Sequence, residues 1–320
     1  MIKKLLLFAF TITFLLTGCS NNTEQPLAFR DRNYISDNNS SSHLSESSFF
    51  AAKLAVIPKD QAVGADSQLS ASASLLVDMN QKNFLYADQI YDKLYPASLT
   101  KLMTALVALE NGELTDTVTI SHEASHISEP GAKLCGFKEG DTMTLEALLN
   151  CLLIYSGNDA GIAIAEYISS SVEAFVKKMN ETAKEIGAVQ TNFVNPHGLH
   201  DENHYTSAYD IYLIFHRLLQ YDTFRSIIQN SSYKLSYSDV NGNPKEKTFT
   251  STNQYFTGKK TPVEGLFIEG GKTGTTSKAG YCLILLCKDQ AGNEYIAQIL
   301  NAADNNELYS QMNHLLSYIK

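Results

Sequence analysis

The stretch Tyr95-Pro96-Ala97-Ser98-Leu99-Thr100-Lys101-Leu102-Met103-Thr104-Ala105 decides how this chain is read. Leu102, Ala105, Leu106 and Leu109 recur at helical spacing, and Pro96 stands where proline starts a helix well. A helix is therefore predicted from Ser98 onward. Residues three apart share a helical face, so the Lys101 amine can reach the Ser98 hydroxyl. A serine hydroxyl is a weak nucleophile and needs a base beside it. A lysine can be that base only if burial or neighbouring cations remove its proton near neutral pH. A helix start also offers backbone N–H groups to a developing oxyanion. A serine and a lysine three apart are common by chance, so this element gains weight only from its company.

Working outward, Ala73–Asp78 and residues 83–86 read as strands across a polar turn. Residues 145–154 and 160–168 are apolar helices, and 172–186 and 208–219 are amphipathic ones. The strand period returns at 234–237, 281–287 and 295–300, and 305–319 closes as a helix. Strands at both ends with helices between them predict an α+β domain whose sheet joins the two ends of the chain.

Two further elements stand out. Ser156-Gly157-Asn158 interrupts an apolar helical pattern, where polar groups are costly unless they face a cavity or find partners. A helix break with capping side chains would also account for it. Lys272-Thr273-Gly274, between Gly270-Gly271 and Thr275-Thr276, is strand-like, and glycine there lets a backbone or ligand approach closely. Taken singly, each is weak. S-x-x-K, then S-x-N, then K-T-G, in that order, is the signature of serine β-lactamases and penicillin-binding proteins. The surroundings narrow it. Residues 95–105, Ser156-Gly157-Asn158-Asp159-Ala160, Phe193-Val194-Asn195-Pro196-His197-Gly198-Leu199, and Gly271-Lys272-Thr273-Gly274 with Ala279-Gly280-Tyr281 resemble the low-molecular-mass D-alanyl-D-alanine carboxypeptidases of peptidase family S11.

The resemblance covers residues 68–320. It implies a DD-peptidase/β-lactamase-like α+β fold, with an antiparallel five-stranded sheet flanked by helices, a helical lobe, and Ser98 in the cleft between them. It further implies that Ser98 attacks the penultimate D-alanine carbonyl of a peptidoglycan pentapeptide stem and forms an acyl-enzyme. Lys101 would take the serine proton, and Ser156 with Lys272 would pass a proton to the departing D-alanine. Asn158 would hold the substrate backbone and orient Lys101. Backbone N–H groups of Ser98 and Thr275 would form the oxyanion hole, and Thr273, Gly274 and Thr275 the substrate-binding strand. No cofactor and no metal is implied, and β-lactam antibiotics would be captured covalently. Many relatives carry an arginine after the strand that follows K-T-G; residues 301–308 contain none.

Two rivals share these residues. A class A β-lactamase adds a glutamate between S-x-N and K-T-G that drives deacylation. Residues 191–199 contain no acid, and Glu185 and Glu202 sit in other contexts. The expectation is rapid acylation by penicillin and slow release. A non-catalytic wall-binding lipoprotein is disfavoured because every side chain the chemistry needs is present. His122-Glu123-Ala124-Ser125-His126 matches the zinc-protease pattern H-E-x-x-H. Ser128-Glu129-Pro130-Gly131 would close any helix there within a turn, so it reads as a decoy. His197, His200 and His204 cluster on a loop, where His197 reads as a brace rather than a ligand.

The amino-terminal residues set the expected compartment. Lys3 and Lys4 precede an apolar run at 5–16, shorter than the roughly 20 residues a membrane span needs. Leu16-Thr17-Gly18-Cys19 resembles the bacterial lipobox. The expected organisation is a leader at 1–18, a tether at 19–67 lipidated at Cys19, and the catalytic domain at 68–320. The protein would then sit on the outer face of the cytoplasmic membrane. The Asn- and Ser-rich tether lacks apolar surface to fold, except Phe49, Phe50 and residues 54–57, which could dock on the domain. A net charge of −9 with no basic stripe argues against a nucleic-acid partner. Cys135, Cys151, Cys282 and Cys287 read as buried free thiols; Cys282 and Cys287 fall on opposite faces of one strand and cannot pair with each other.

Overall fold

The computed structural model describes Leu54 and residues 66–319. The leader, Cys19, Phe49 and Phe50 lie outside the described residues, as does the tether apart from Leu54, Asp66 and Ser67. In chain order the elements are β1 (Ala73–Asp78), β2 (Asn83–Asp88), α1 (Thr100–Asn111), β3 (Thr117–Thr119), α2 (His122–Ser125) and β4 (Thr142–Thr144). Then come α3 (Leu145–Asn150), α4 (Asn158–Ser169), α5 (Val172–Glu185), α6 (Ala208–Leu218) and α7 (Asp222–Ile228). The chain finishes with β5 (Ser232–Ser238), β6 (Pro244–Thr250), β7 (Phe267–Thr276), β8 (Gly280–Lys288), β9 (Glu294–Ala302) and α8 (Asn305–Leu316).

The main sheet has five antiparallel strands in the order β2-β1-β9-β8-β7. Its central strands are apolar almost without interruption because both faces are covered. On β8, Cys282, Ile284 and Leu286 point into the core shared with the helical lobe. Leu283, Leu285 and Cys287 point to the opposite face, beneath Leu308, Met312 and Leu315 of α8. The two cysteines thus lie on opposite faces, and all four cysteines among the described residues are buried free thiols. The β1–β9 ladder joins the two ends of the domain, as the order of elements predicts. The Asp66 carboxylate reinforces that closure, accepting hydrogen bonds from Tyr318 and His314. Leu54 is half-buried against the core.

A second, four-stranded sheet, β3-β4-β5-β6, lies outside the sequence expectation. Its strand β6 (PKEKTFT) buries only Phe249, so it has no apolar alternation to announce it; the ladder to β5 holds it instead. Helix α7 is short and was likewise not anticipated. Two boundaries also moved. The helix expected from Ser98 begins as a 3₁₀ turn at Ala97–Leu99, with α1 starting at Thr100. The helix expected across 145–154 is α3 followed by a π-helical turn, Cys151–Tyr155, which ends at Ser156 in the left-handed region (φ 73°).

A buried acid ties the lobe together. Asp159, 2% exposed in the first turn of α4, accepts the backbone N–H groups of Cys135 (2.9 Å) and Gly136 (2.8 Å). The Asn158 N–H in turn donates to the Lys133 carbonyl at 2.7 Å. An extended segment with no ladder of its own is thereby fastened to the helix that follows Ser156. Each buried N–H left without an acceptor costs about 1–3 kcal/mol. Asp159→Ala should therefore lower unfolding free energy by about 3 kcal/mol in urea titration, and Asp159→Asn by less. A loss below about 1 kcal/mol for the alanine variant would show that the segment is held by other contacts.

Candidate active site

The site begins with a strained turn. Ala97, next to Ser98, has φ +47°, a conformation that costs a non-glycine residue roughly 1–3 kcal/mol unless its surroundings enforce it. Here they do. The Ala97 carbonyl accepts the Thr100 hydroxyl at 2.8 Å, and that hydroxyl lies 2.7 Å from His204 Nε2. His204 Nδ1 accepts the Val194 N–H, so its proton sits on Nε2 and is donated to Thr100. Burial holds His204 neutral, with its pKa lowered to about 4. Gly198 packs so closely that a Cβ there would stand 1.8 Å from the Ala97 oxygen. Gly274 of β7 does the same on the other side, where a Cβ would meet Ser98 N at 3.1 Å. Ser98 is thus fixed between the lobe and the edge strand of the sheet.

Lys101 has no solvent exposure. Its Nζ lies 2.9 Å from Ser98 Oγ, 2.8 Å from Asn158 Oδ1 and 2.6 Å from the His197 carbonyl. Burial is the main reason its pKa falls to about 7; Lys133 lowers it further, while Asp159 opposes the shift. Two of the three neighbours can only accept, so a neutral amine gives them its two protons and turns its lone pair toward the Ser98 hydroxyl. The Asn195-Pro196-His197 turn is pinned in place, since Thr104 Oγ1 donates to the Pro196 carbonyl at 2.5 Å. His197 is itself buried and neutral, its pKa lowered to about 3, with Nδ1 accepting the Leu199 N–H.

The third element arrives from the sheet. Lys272 on β7 is 1% exposed and donates to Ser156 Oγ at 2.9 Å and to the Thr273 carbonyl at 2.8 Å. Burial and the nearby Lys101 and Lys133 push its pKa well down. Thr273 Oγ1 lies 2.5 Å from Thr252 Oγ1. Ser98, Ser156, Asn158, Thr273, Gly274 and Thr275 line one cleft of about 240 Å³, with Lys101 and Lys272 buried behind it. The sequence-derived residues of the domain are therefore brought together.

The structure gives roles to residues for which the sequence reading proposed none. Lys133, Thr252 and Thr276 also line the cleft, and Thr100, His204 and Asp159 support it. The contacts of His204, Asp159 and Thr252 cross between distant segments, so no local spacing could have revealed them. No lining residue among those described is acidic, and Lys133 is the one cation. Asn301, where relatives place their arginine region, instead accepts the Ser72 hydroxyl at 2.9 Å.

The histidine patterns behave differently from one another. His197 and His204 each spend Nδ1 on a backbone N–H, and His200 packs edge-on against Tyr95. Helix α2 is a single turn capped by Ser121. At its surface His122, His126 and Glu139 bring possible donor atoms within 4.8 Å of one another; all three are exposed and none lines the cleft. Glu123, which the H-E-x-x-H pattern would need as a base, is not part of that group.

The sequence model of peptidase family S11, D-alanyl-D-alanine carboxypeptidase, matches residues 59–304. The chain is 34% identical over 253 residues to the D-alanyl-D-alanine carboxypeptidase DacF of Bacillus subtilis, covering 78% of this chain and 61% of that one. It is 30% identical over 267 residues to DacC of Escherichia coli, covering 81% and 63%. The chain thus spans less than two thirds of the length of these curated relatives. Among solved structures, the Streptomyces K15 DD-transpeptidase superposes with a TM-score of 0.73 at 25% identity, covering 80% of this chain and 98% of that one. Penicillin binding protein 5 from Haemophilus influenzae gives 0.69 at 27% identity, covering 80% and 72%. The three elements thus share one cleft in the fold of the solved DD-peptidases, and the chain belongs to peptidase family S11, the D-alanyl-D-alanine carboxypeptidases.

Proposed function

We propose that the protein is a serine-type D-alanyl-D-alanine carboxypeptidase that removes the terminal D-alanine from peptidoglycan pentapeptide stems. The observation that carries this reading is a fully buried lysine in hydrogen-bond contact with a cleft serine; burial lowers its pKa to about 7. Neutral Lys101 takes the Ser98 proton as Oγ bonds to the penultimate D-alanine carbonyl carbon. The resulting oxyanion is received by the N–H groups of Ser98 and Thr275, where losing one donor typically costs about 2.7–4 kcal/mol of barrier. As the C–N bond breaks, Ser156, hydrogen-bonded to Lys272, gives its proton to the departing amine and is reprotonated at the expense of the Lys101 ammonium, so the Ser98 proton in effect leaves with D-alanine. Asn158 presents its side-chain amide to the substrate backbone, and Thr273 and Thr275 receive the terminal carboxylate. Water then attacks the ester, and Ser98 recovers its proton. The cleft needs no metal or organic cofactor for these steps.

β-Lactams would follow the same path as far as the acyl-enzyme. A β-lactamase needs a carboxylate to activate the deacylating water. Neither Glu185 nor Glu202 lines the cleft, which favours a long-lived adduct. We also propose that Cys19 carries a lipid that holds the domain at the outer face of the cytoplasmic membrane; the lipobox supports this.

Intact mass after brief exposure to benzylpenicillin should show one drug adduct that persists, absent from Ser98→Ala. Rapid return to the free mass as drug disappears would identify a β-lactamase, and no adduct would favour the non-catalytic alternative. The kcat/KM for D-alanine release should rise about tenfold per pH unit below the Lys101 pKa of about 7 and level off above it, because only the unprotonated amine is a base. A profile flat from pH 5 to 9 would remove Lys101 from that role. In cells, Cys19→Ala should move the protein from the membrane fraction to the soluble one; an unchanged membrane fraction would rule out the lipid as its anchor.

A further inference from the structure

Lys133 stands apart from the other lysines of the domain. It lines the cleft and is half-buried, yet its amino group forms no ion pair or hydrogen bond with a described residue. Its one close partner is the ring of Tyr155, 4.2 Å from Nζ to the centroid. Tyr155 ends the π-helical turn and directly precedes Ser156, while the Lys133 carbonyl accepts the Asn158 N–H at 2.7 Å. The lysine is thereby attached at both ends of Ser156-Gly157-Asn158. The neighbouring acid cannot neutralise it without giving up its own bonds, because the Asp159 carboxylate is spent on the Cys135 and Gly136 N–H groups.

A solvent lysine would keep its ammonium in water. This one gives up part of its hydration to the cleft wall, and burial lowers its pKa in consequence. Desolvating a cation without a counter-charge is costly, and a bound anion offsets that cost. The cleft contains no lining acid to do so, and two further lysines lie buried behind it. A substrate carboxylate would supply the compensating charge. Lys133 belongs to the lobe wall beside Asn158, whereas Thr273 and Thr275 belong to the sheet wall. A carboxylate meeting Lys133 therefore belongs to the part of the peptide that precedes the scissile bond.

We propose that Lys133 forms a carboxylate-binding subsite on the lobe wall, selecting peptides with an acidic side chain upstream of the terminal D-alanyl-D-alanine. This rests on the carboxypeptidase reading above and adds a substrate preference to it. The test uses two N-acylated peptides ending in D-alanyl-D-alanine, identical except that the preceding residue carries a side-chain carboxylate in one and the carboxamide in the other. The kcat/KM for D-alanine release should favour the acidic peptide by about tenfold in the unaltered protein, the scale of one partly desolvated charge pair. Lys133→Gln should erase that preference and Lys133→Arg should retain it. A preference unchanged in Lys133→Gln would overturn the proposal. So would an equal loss on both peptides together with slower benzylpenicillin acylation, which would place Lys133 at the terminal carboxylate instead. Thermal unfolding of each variant separates these results from misfolding. If the unaltered protein released D-alanine from neither peptide, the carboxypeptidase reading itself would fall and this subsite with it; release from both without preference would sink the subsite alone.

Discussion

A primary amine with no access to water is the constraint around which this molecule is arranged. Lys101 can be accommodated only because Ser98, Asn158 and the His197 carbonyl satisfy it from three different segments. Each of those segments must itself be held. The His197 turn is tied to α1 through Thr104 and Pro196, Asn158 is fixed by its bond to Lys133, and the nucleophile turn is braced by Thr100 and His204. Burial also sets the chemistry. The same absence of water that makes the ammonium costly brings its pKa to about 7, where it can serve as a base.

Strain is concentrated at the cleft. Ala97 and Ser156 both occupy the left-handed region, one preceding Ser98 and the other itself lining the cleft. Neither conformation would persist in an isolated peptide. The left-handed turn at Ser156 follows a widened helix, and Lys272 reaches that serine from the sheet at 2.9 Å. The two lobes are therefore joined across the cleft by a hydrogen bond between Lys272 and Ser156. The cleft that results is rich in amines and hydroxyls and is lined by no acid among the described residues, an environment that favours an anionic peptide.

The strands β1, β8 and β9 of the main sheet were legible because they are apolar almost throughout, and the helices carry a clear period, whereas the count of five strands came from the resemblance. Strand β6 was not legible, since PKEKTFT buries one side chain and owes its conformation to pairing with β5. The same holds for the π-helical turn at Cys151–Tyr155, where a continuous apolar pattern cannot tell one helical pitch from another. The 3₁₀ start at Ala97–Leu99 depends on contacts from Gly198 and Gly274, residues far along the chain.

By itself the sequence determined the α+β class, the closure of the sheet by its two ends, and the membership of Ser98, Lys101, Ser156, Asn158 and Lys272 in one chemical set. The class and the closure reside in local periodicity, whereas the set is implied by the order of three motifs and by their resemblance to family S11. Only the tertiary structure decided that Lys101 is wholly buried, that His204 is a neutral brace, and that Asp159 clamps the segment carrying Lys133. The physical reason is that burial and hydrogen-bond partnership belong to pairs of residues brought together from distant parts of the chain. Lys133 has no partner in sequence, and its place in the cleft exists only after its own segment has been fastened to the start of α4.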